Sequence, residues 1–219
     1  MTQPAPLIGL FGGTFDPVHY GHLRTAIEAN EYLGLDQLRF MPCGRPPHAK
    51  APGASPEQRL QMLRLALSRT RTPNICIDET EIKATHQLSY THSTLTALKR
   101  QEPNAIWVLL LGRDAFAGFD QWYRWREILD LCHLGILTRP GSDTVNCETM
   151  KQRLEARETL DLNQLRNQNH GLWVDVPVTP LTLSSSEIRG KIKNGLNPQF
   201  LTPDAVLDFI ESQRIYLSR

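Results

Sequence analysis

Near the start of the chain a short apolar run, Leu7-Ile8-Gly9-Leu10-Phe11, stops at Gly12-Gly13, and a helical pattern follows within ten residues. An apolar run ended by a glycine pair predicts a buried strand entering a tight turn. From about Gly21 to Leu33, Leu23, Ala26 and Ile27 recur near one face, which predicts a helix. The same alternation continues down the chain. Leu38–Met41 (stopped by Pro42), Ile75–Ile77, Leu134–Thr138 and Trp173–Val176 read as strands, and the continuously apolar Ile106–Leu111 reads as a central strand covered on both faces. Between them, Ser55-Pro56-Glu57 caps a helix carrying Leu60, Leu63 and Leu67, and Thr91 is the candidate cap of a helix through Leu95 and Leu98. Ser184-Ser185-Ser186-Glu187 matches a capping box, and Pro203 starts a further helix. Glu148–Asn169, with mixed charges and sparse leucines, predicts a solvated helix or helical excursion. Strands alternating with helices imply an α/β fold: one doubly wound, mainly parallel sheet with helices on both faces and right-handed crossovers. In such sheets ligands bind beyond the carboxyl ends of the strands, where the strand order switches.

A chain of 219 residues can fill one core, so a single domain is expected over its whole length. A net charge of +1 supplies no global pull toward nucleic acid or membrane, though a local cationic pocket is compatible with it. Cys43, Cys76, Cys132 and Cys147 include no C-x-x-C pair, which argues against a zinc knuckle and a disulfide scaffold and fits a reducing compartment. Met1–Pro6 lacks the regions of a signal peptide, and the longest apolar run, Ala105–Leu111, is far short of the ~20 residues of a membrane span. The expected location is therefore cytoplasmic. Cys43 to Pro56 holds four prolines and two glycines, a loop long enough to be functional.

The first strand delivers Gly12-Gly13-Thr14-Phe15-Asp16-Pro17-Val18-His19-Tyr20-Gly21-His22 to the sheet edge. Two glycines let backbone amides approach an anion, and the helix that follows offers unpaired N–H groups with a partial positive charge. His19 and His22, three apart, can face one side in a first helical turn and donate to phosphoryl oxygens. An isolated His-x-x-His would read as polar surface; strand, turn, paired histidines and helix start coinciding is a far more specific pattern. It is not a Walker loop, lacking Gly-Lys-Ser/Thr, nor a dinucleotide fingerprint, lacking Gly-x-Gly-x-x-Gly. Taken alone, Ser184 to Glu187 is most simply a helix cap, Asp114 can be the cap of the turn it begins, and Trp122, Tyr123 and Trp125 can be packing residues.

Gly12 to His22, Pro46-Pro47-His48, Ser89-Tyr90-Thr91, Gly112-Arg113-Asp114, Trp122, Arg139-Pro140-Gly141 and Leu183 to Arg189 occur in an order that runs over essentially the whole chain. In these segments the sequence resembles the nucleotidyltransferase superfamily with the His-x-Gly-His signature and, within it, the bacterial nicotinate-nucleotide adenylyltransferase family. The resemblance implies a Rossmann-like fold and a reaction in which nicotinate mononucleotide and ATP give nicotinate adenine dinucleotide and pyrophosphate, with Mg²⁺ accompanying ATP. It implies that His19, His22 and Arg189 are catalytic. It assigns Gly12, Gly13, Thr14, Phe15, His22, Gly112, Asp114, Ser184, Ser185, Ser186 and Arg189 to ATP, and Thr14, His48, Lys50, Tyr90, Thr91, Trp122 and Arg139 to the acceptor. Ala49 stands where the family usually has lysine or arginine, leaving Lys50 as the candidate basic residue; Cys43 replaces a frequent asparagine and Asp120 a frequent proline. No protein metal ligand, nucleic acid or membrane is implied, and the expected assembly is a monomer or small homo-oligomer. The nearer alternative is the same chemistry on another phosphate acceptor; the more distant one is a nucleotide sensor without turnover.

Overall fold

The computed structural model describes residues 4–45, 52–84, 88–138 and 148–217. Six strands, β1 (Leu7–Gly13), β2 (Gln37–Pro42), β3 (Ile75–Ile77), β4 (Ile106–Gly112), β5 (His133–Thr138) and β6 (Trp173–Pro177), form one sheet in the order β3-β2-β1-β4-β5-β6. Every pairing is parallel. The chain moves outward from β1 through β2 to β3, returns across the sheet, and moves the other way from β4. The switch in order therefore falls between β1 and β4, where the connections leave in opposite directions and open a crevice.

Side-chain alternation on the strands sorts the core into two layers. Leu7, Phe11, Ile106, Val108, Leu110, Val174 and Val176 face one cluster, and Ile8, Leu10, Trp107, Leu109, Leu111 and Trp173 face the other. Central strands with both faces buried have no polar side to show, which is why β4 reads as an unbroken apolar run. Helices α1 (Tyr20–Leu33) and α2 (Pro56–Leu67) pack on the first layer with the C-terminal α10 (Asp204–Ser212). Between α2 and β4 lie α3 (Thr80–Lys83) and α4 (Thr91–Gln101), and α4 packs on the second layer with α5 (Arg113–Ala117), α6 (Trp125–Ile128) and α7 (Glu148–Arg153). Two further helices are α8 (Gln164–Asn167) and α9 (Ser185–Lys193).

All six predicted strands are present, and the predicted Ser55 cap forms: its hydroxyl accepts from Gln58 N at 3.2 Å. One local reading is corrected. Thr91 is the first helical residue of α4 rather than its cap; Tyr90 takes that place, and no side chain caps the helix. Glu148–Asn169 is the helical excursion expected, mostly exposed but not one continuous helix. It breaks into α7, a 3-10 turn at Glu155–Arg157 and α8, with Met150, Leu154 and Leu165 buried. The sparse leucines are anchors, and the segment lies along the outer strand: Thr159 N donates to Trp173 O (2.9 Å) and Trp173 Nε1 to Leu154 O (2.8 Å). The segment thereby covers the start of the edge strand at Trp173. Cys43, Cys76 and Cys132 are free; burial pushes the Cys43 thiol up to about 11 and that of Cys132 to about 12, as expected of packing cysteines.

Candidate active site

Strand register places Gly12 and Gly13 beside Met41 and Pro42 at the carboxyl edge, with Gly112 level with Leu137. Above the β1–β4 crevice lies a cavity of about 540 Å³ whose wall includes Gly12, Gly13, His19, His22, Gly112, Asp114, Ser184 and Ser185. That volume suits a nucleotide-sized ligand. Gly12 and Ser185, 173 positions apart, thus meet at one site.

The histidine pair is built by the start of α1. His19 is the N-cap, in an extended conformation (φ −147°, ψ 169°), and His22 is the third helical residue. Their rings stack with centroids 3.7 Å apart and planes at 24°. His19 N donates to His22 Nδ1 at 3.3 Å, so in the neutral ring the proton sits on Nε2 and that nitrogen is the donor. Phe15 supports the pair from below: its ring is buried and meets the His22 ring edge-on at 5.1 Å. A Cβ on Gly13 would come within 2.8 Å of the Phe15 ring, so glycine is required there. Phe15 can reach a nucleotide only through its backbone.

The loop between β1 and α1 has its carbonyls turned outward and held by distant groups. Thr14 O accepts from Arg59 Nη1 (2.8 Å), Asp16 O from Arg189 Nη1 (2.6 Å), Pro17 O from Ser185 Oγ (2.9 Å) and Val18 O from Thr202 Oγ1 (2.7 Å). A loop with its acceptors occupied elsewhere repels an anion less than one with them free. Ser184 caps α9, accepting from Glu187 N at 3.1 Å, which is the serine half of the predicted capping box. The amino ends of α1 and α9 therefore both border the cavity, each with roughly half a positive charge.

On the β4 side, Gly112 precedes α5 and Asp114 lies in its first turn. A Cβ at Gly112 would stand 2.7 Å from Asp114 Oδ1, so the absence of a side chain lets that carboxylate fold over the strand end. Among the described wall residues Asp114 is the only carboxylate, and a carboxylate there can accept from two vicinal hydroxyls.

Not every expected residue reaches this cavity. Thr14, Phe15, Ser186 and Arg189 do not line it; Arg189 is one-third exposed, with Nη2 donating to Ser186 Oγ (3.0 Å) and Nη1 lying 3.5 Å from Asp16 Oδ2. Tyr90, Thr91 and Trp122 do not line it either: the Tyr90 ring lies 4.9 Å from that of Tyr123, Thr91 opens α4, and Trp122 packs on Phe119 at 5.5 Å. Ser89 ties the loop after β2 to the start of α4, for Ser89 N donates to Arg45 O (2.9 Å) and Arg45 N to Ser89 Oγ (3.2 Å). His48, Lys50 and Arg139 lie outside the described residues.

Three residues that the sequence reading did not single out support the site. Arg59 is fully buried and bridges Thr14 O to Gly44 O (3.0 Å), joining the loop after β1 to the loop after β2; burial lowers its pKa. Its spacing from Met62 and Leu63, three and four residues on, is the one sequence signal that it faces inward. Asp16 and Tyr216 meet through a 2.7 Å hydrogen bond spanning 200 residues, for which no sequence pattern exists.

A family model for cytidylyltransferase-like proteins matches residues 10–191. Relatives bearing the name "Probable nicotinate-nucleotide adenylyltransferase" include one from Methylococcus capsulatus, 39% identical over 96% of this chain and 99% of its own length. Another, from Cellvibrio japonicus, is 42% identical over 96% and 99%. Among solved structures, nicotinic acid mononucleotide adenylyltransferase of Plasmodium falciparum, in complexes with APC and with NaAD, superposes with TM-scores of 0.71 and 0.73 at 15% identity, covering 96% of this chain and 97% of that one. At that identity the likeness speaks for the fold, and the fold is the sheet described above. With close relatives aligned from end to end and the paired histidines standing over the strand switch, the chain belongs to the nicotinate-nucleotide adenylyltransferase family of cytidylyltransferase-like enzymes.

Proposed function

We infer that the protein transfers the adenylyl group of ATP to nicotinate mononucleotide, forming nicotinate adenine dinucleotide and pyrophosphate, a step of NAD biosynthesis carried out in the cytoplasm. The observation that carries this reading is the stacked His19–His22 pair set between the amino ends of α1 and α9, over the β1–β4 crevice. An oxygen of the acceptor's 5′-phosphate attacks the α-phosphorus in line with the departing pyrophosphate. The attacking phosphate is already anionic, so the protein needs no base, and its work is positioning and charge stabilisation. His22 donates from Nε2 to phosphoryl oxygens and His19 stands against it. The backbone amides of Gly12 and Gly13 and of the first turn of α9, with Ser184 and Ser185, complete the cradle. Asp114 receives the ribose hydroxyls. Arg189, swung from its place beside Asp16, holds the outer phosphates with its forked donors.

Family membership makes a divalent metal part of the reaction, and Mg²⁺ is our choice. No group of three or more His, Cys, Asp or Glu that could hold a metal gathers among the described residues, and the cavity wall is rich in anion donors. That donor set fits a metal arriving on the triphosphate, where it would offset phosphate charge. Tyr90 and Trp122 form the acceptor platform. The uncapped amino end of α4 presents the Thr91 amide and its neighbours, donors that suit a carboxylate and mismatch an amide. Incubation of the pure protein with ATP, Mg²⁺ and nicotinate mononucleotide should release pyrophosphate and form the dinucleotide, with a far lower kcat/KM for nicotinamide mononucleotide. Absence of turnover with the nicotinate substrate would end this reading.

A further inference from the structure

The C-terminal segment reaches into the phosphate side of the site through one carboxylate. Asp16 is 4% exposed. Its Oδ1 accepts from Tyr216 OH (2.7 Å) and Ala54 N (3.0 Å), and its Oδ2 accepts from Gly53 N (2.8 Å). Three neutral donors thus occupy the carboxylate. Arg189 takes what is left: its short bond runs to the Asp16 backbone oxygen at 2.6 Å, and the carboxylate Oδ2 is 3.5 Å away. A guanidinium facing a buried carboxylate without other donors closes to a paired, charge-assisted contact near 2.7–2.9 Å. Here that contact is loosened by the neighbours.

The tail is shaped to deliver the hydroxyl. Arg214 and Tyr216 both have positive φ (52° and 65°), a left-handed conformation that non-glycine residues adopt at a cost. The Tyr216 ring lies against Gly53, where a Cβ would approach it to 3.0 Å. Burial, followed by the neighbouring Asp16 charge, pushes the phenol well above its ordinary pKa, so it remains a donor.

We propose that Tyr216 is a positioning residue for ATP: by occupying Asp16 Oδ1, its hydroxyl keeps the Arg189 guanidinium off the carboxylate, so that only the neutral Asp16 backbone oxygen and Ser186 Oγ hold it and the triphosphate can displace them. The proposal rests on the reading of Arg189 as a phosphate ligand. Without the hydroxyl, Asp16 Oδ1 is left with one donor, and the guanidinium closes on the carboxylate in competition with ATP.

The test is a double-mutant cycle on the full-length protein with Tyr216→Phe, which keeps the ring, and Arg189→Ala. Tyr216→Phe should raise the KM for ATP by about 3- to 10-fold, the scale of one hydrogen bond. It should leave kcat at saturating ATP and the KM for nicotinate mononucleotide within about twofold. In the Arg189→Ala background the same substitution should have no further effect on the ATP KM. An equal rise in both backgrounds would show that the hydroxyl acts on the loop without Arg189, and an unchanged ATP KM in Tyr216→Phe would show that it does nothing here; either result overturns the proposal while leaving Arg189 as a ligand. An unchanged ATP KM in Arg189→Ala alone would overturn the role of Arg189, and the tether with it. Urea melts of each variant establish that folded proteins are being compared.

Discussion

His19 and His22 were legible because everything that relates them is local. A spacing of three across a helix start puts two imidazoles on one side whatever the rest of the molecule does, and the rings do stack at 3.7 Å. If their role is to stabilise charge that grows in the transition state, His19→Ala should lower kcat by about 10²-fold or more, with a smaller change in ATP affinity measured by calorimetry. Comparable losses in both would mean that the ring serves ground-state binding. Arg59 presents the opposite case. Its role depends on two carbonyls that lie 45 and 15 positions away, and only its helical phase hinted at burial. Removing it trades two lost hydrogen bonds, each worth about 1–3 kcal/mol when a buried group is stranded, against relief of a buried cation costing several kcal/mol. Arg59→Met should therefore shift unfolding stability by no more than about 2 kcal/mol while kcat/KM drops at least about tenfold, as the two loops lose register. A urea melt and a steady-state assay on the same preparation check both halves; a large stability loss with intact activity would make Arg59 a scaffold residue only.

At the scale of elements, strands were easier to read than helices. A strand buried on both faces announces itself by an apolar run, whereas α3, α5, α6 and α8 are four or five residues long and hold no periodicity to detect. The β5–β6 join shows how one buried side chain seats an element. His133, opening β5, accepts from Leu172 N at Nδ1 (3.1 Å) and meets Gln168 O at Nε2 (2.8 Å), a pattern that requires the neutral ring with its proton on Nε2. Burial lowers its pKa below the ordinary value of about 6.5. The folded state then binds fewer protons than the unfolded one. The stability this arrangement contributes is complete above about pH 6.5 and is lost as the pH falls from there toward the lowered folded value. Urea midpoints measured between about pH 7.5 and 5.5 should decline toward acid. His133→Asn, whose side-chain oxygen can still accept from Leu172 N, should show a shallower decline. An identical slope in the variant would assign the effect to other histidines.

For the whole molecule, the decisive fact is that the C-terminal third braces the N-terminal loop. Ser185, Arg189 and Thr202 each hold a carbonyl of the Asp16–Val18 stretch, and Tyr20 N donates to Leu201 O. Glu28 in α1 likewise accepts from Thr179 N (2.7 Å) and Oγ1 (2.6 Å) beyond β6. A site assembled from both ends of the chain should not unfold piecemeal, so we expect the protein to melt as one domain in a single calorimetric transition. Nicotinate adenine dinucleotide at about 100 times its Kd should add ~2.7 kcal/mol and raise Tm by roughly 5–10 °C. Two separable transitions, with only one moved by the dinucleotide, would refute that expectation. The sequence alone determined the alternating elements, the glycine- and histidine-rich string and the family, because periodicity, glycine turns and helix starts are properties of neighbouring residues. Folding alone decided which carbonyls the buried Arg59 would hold, that Asp16 would be shared among three segments, and that Arg189 would rest beside it. Those contacts join residues up to 200 positions apart, and a pairing at that range leaves no periodic trace: it is created by the packing of the sheet's two faces and exists only once they have formed.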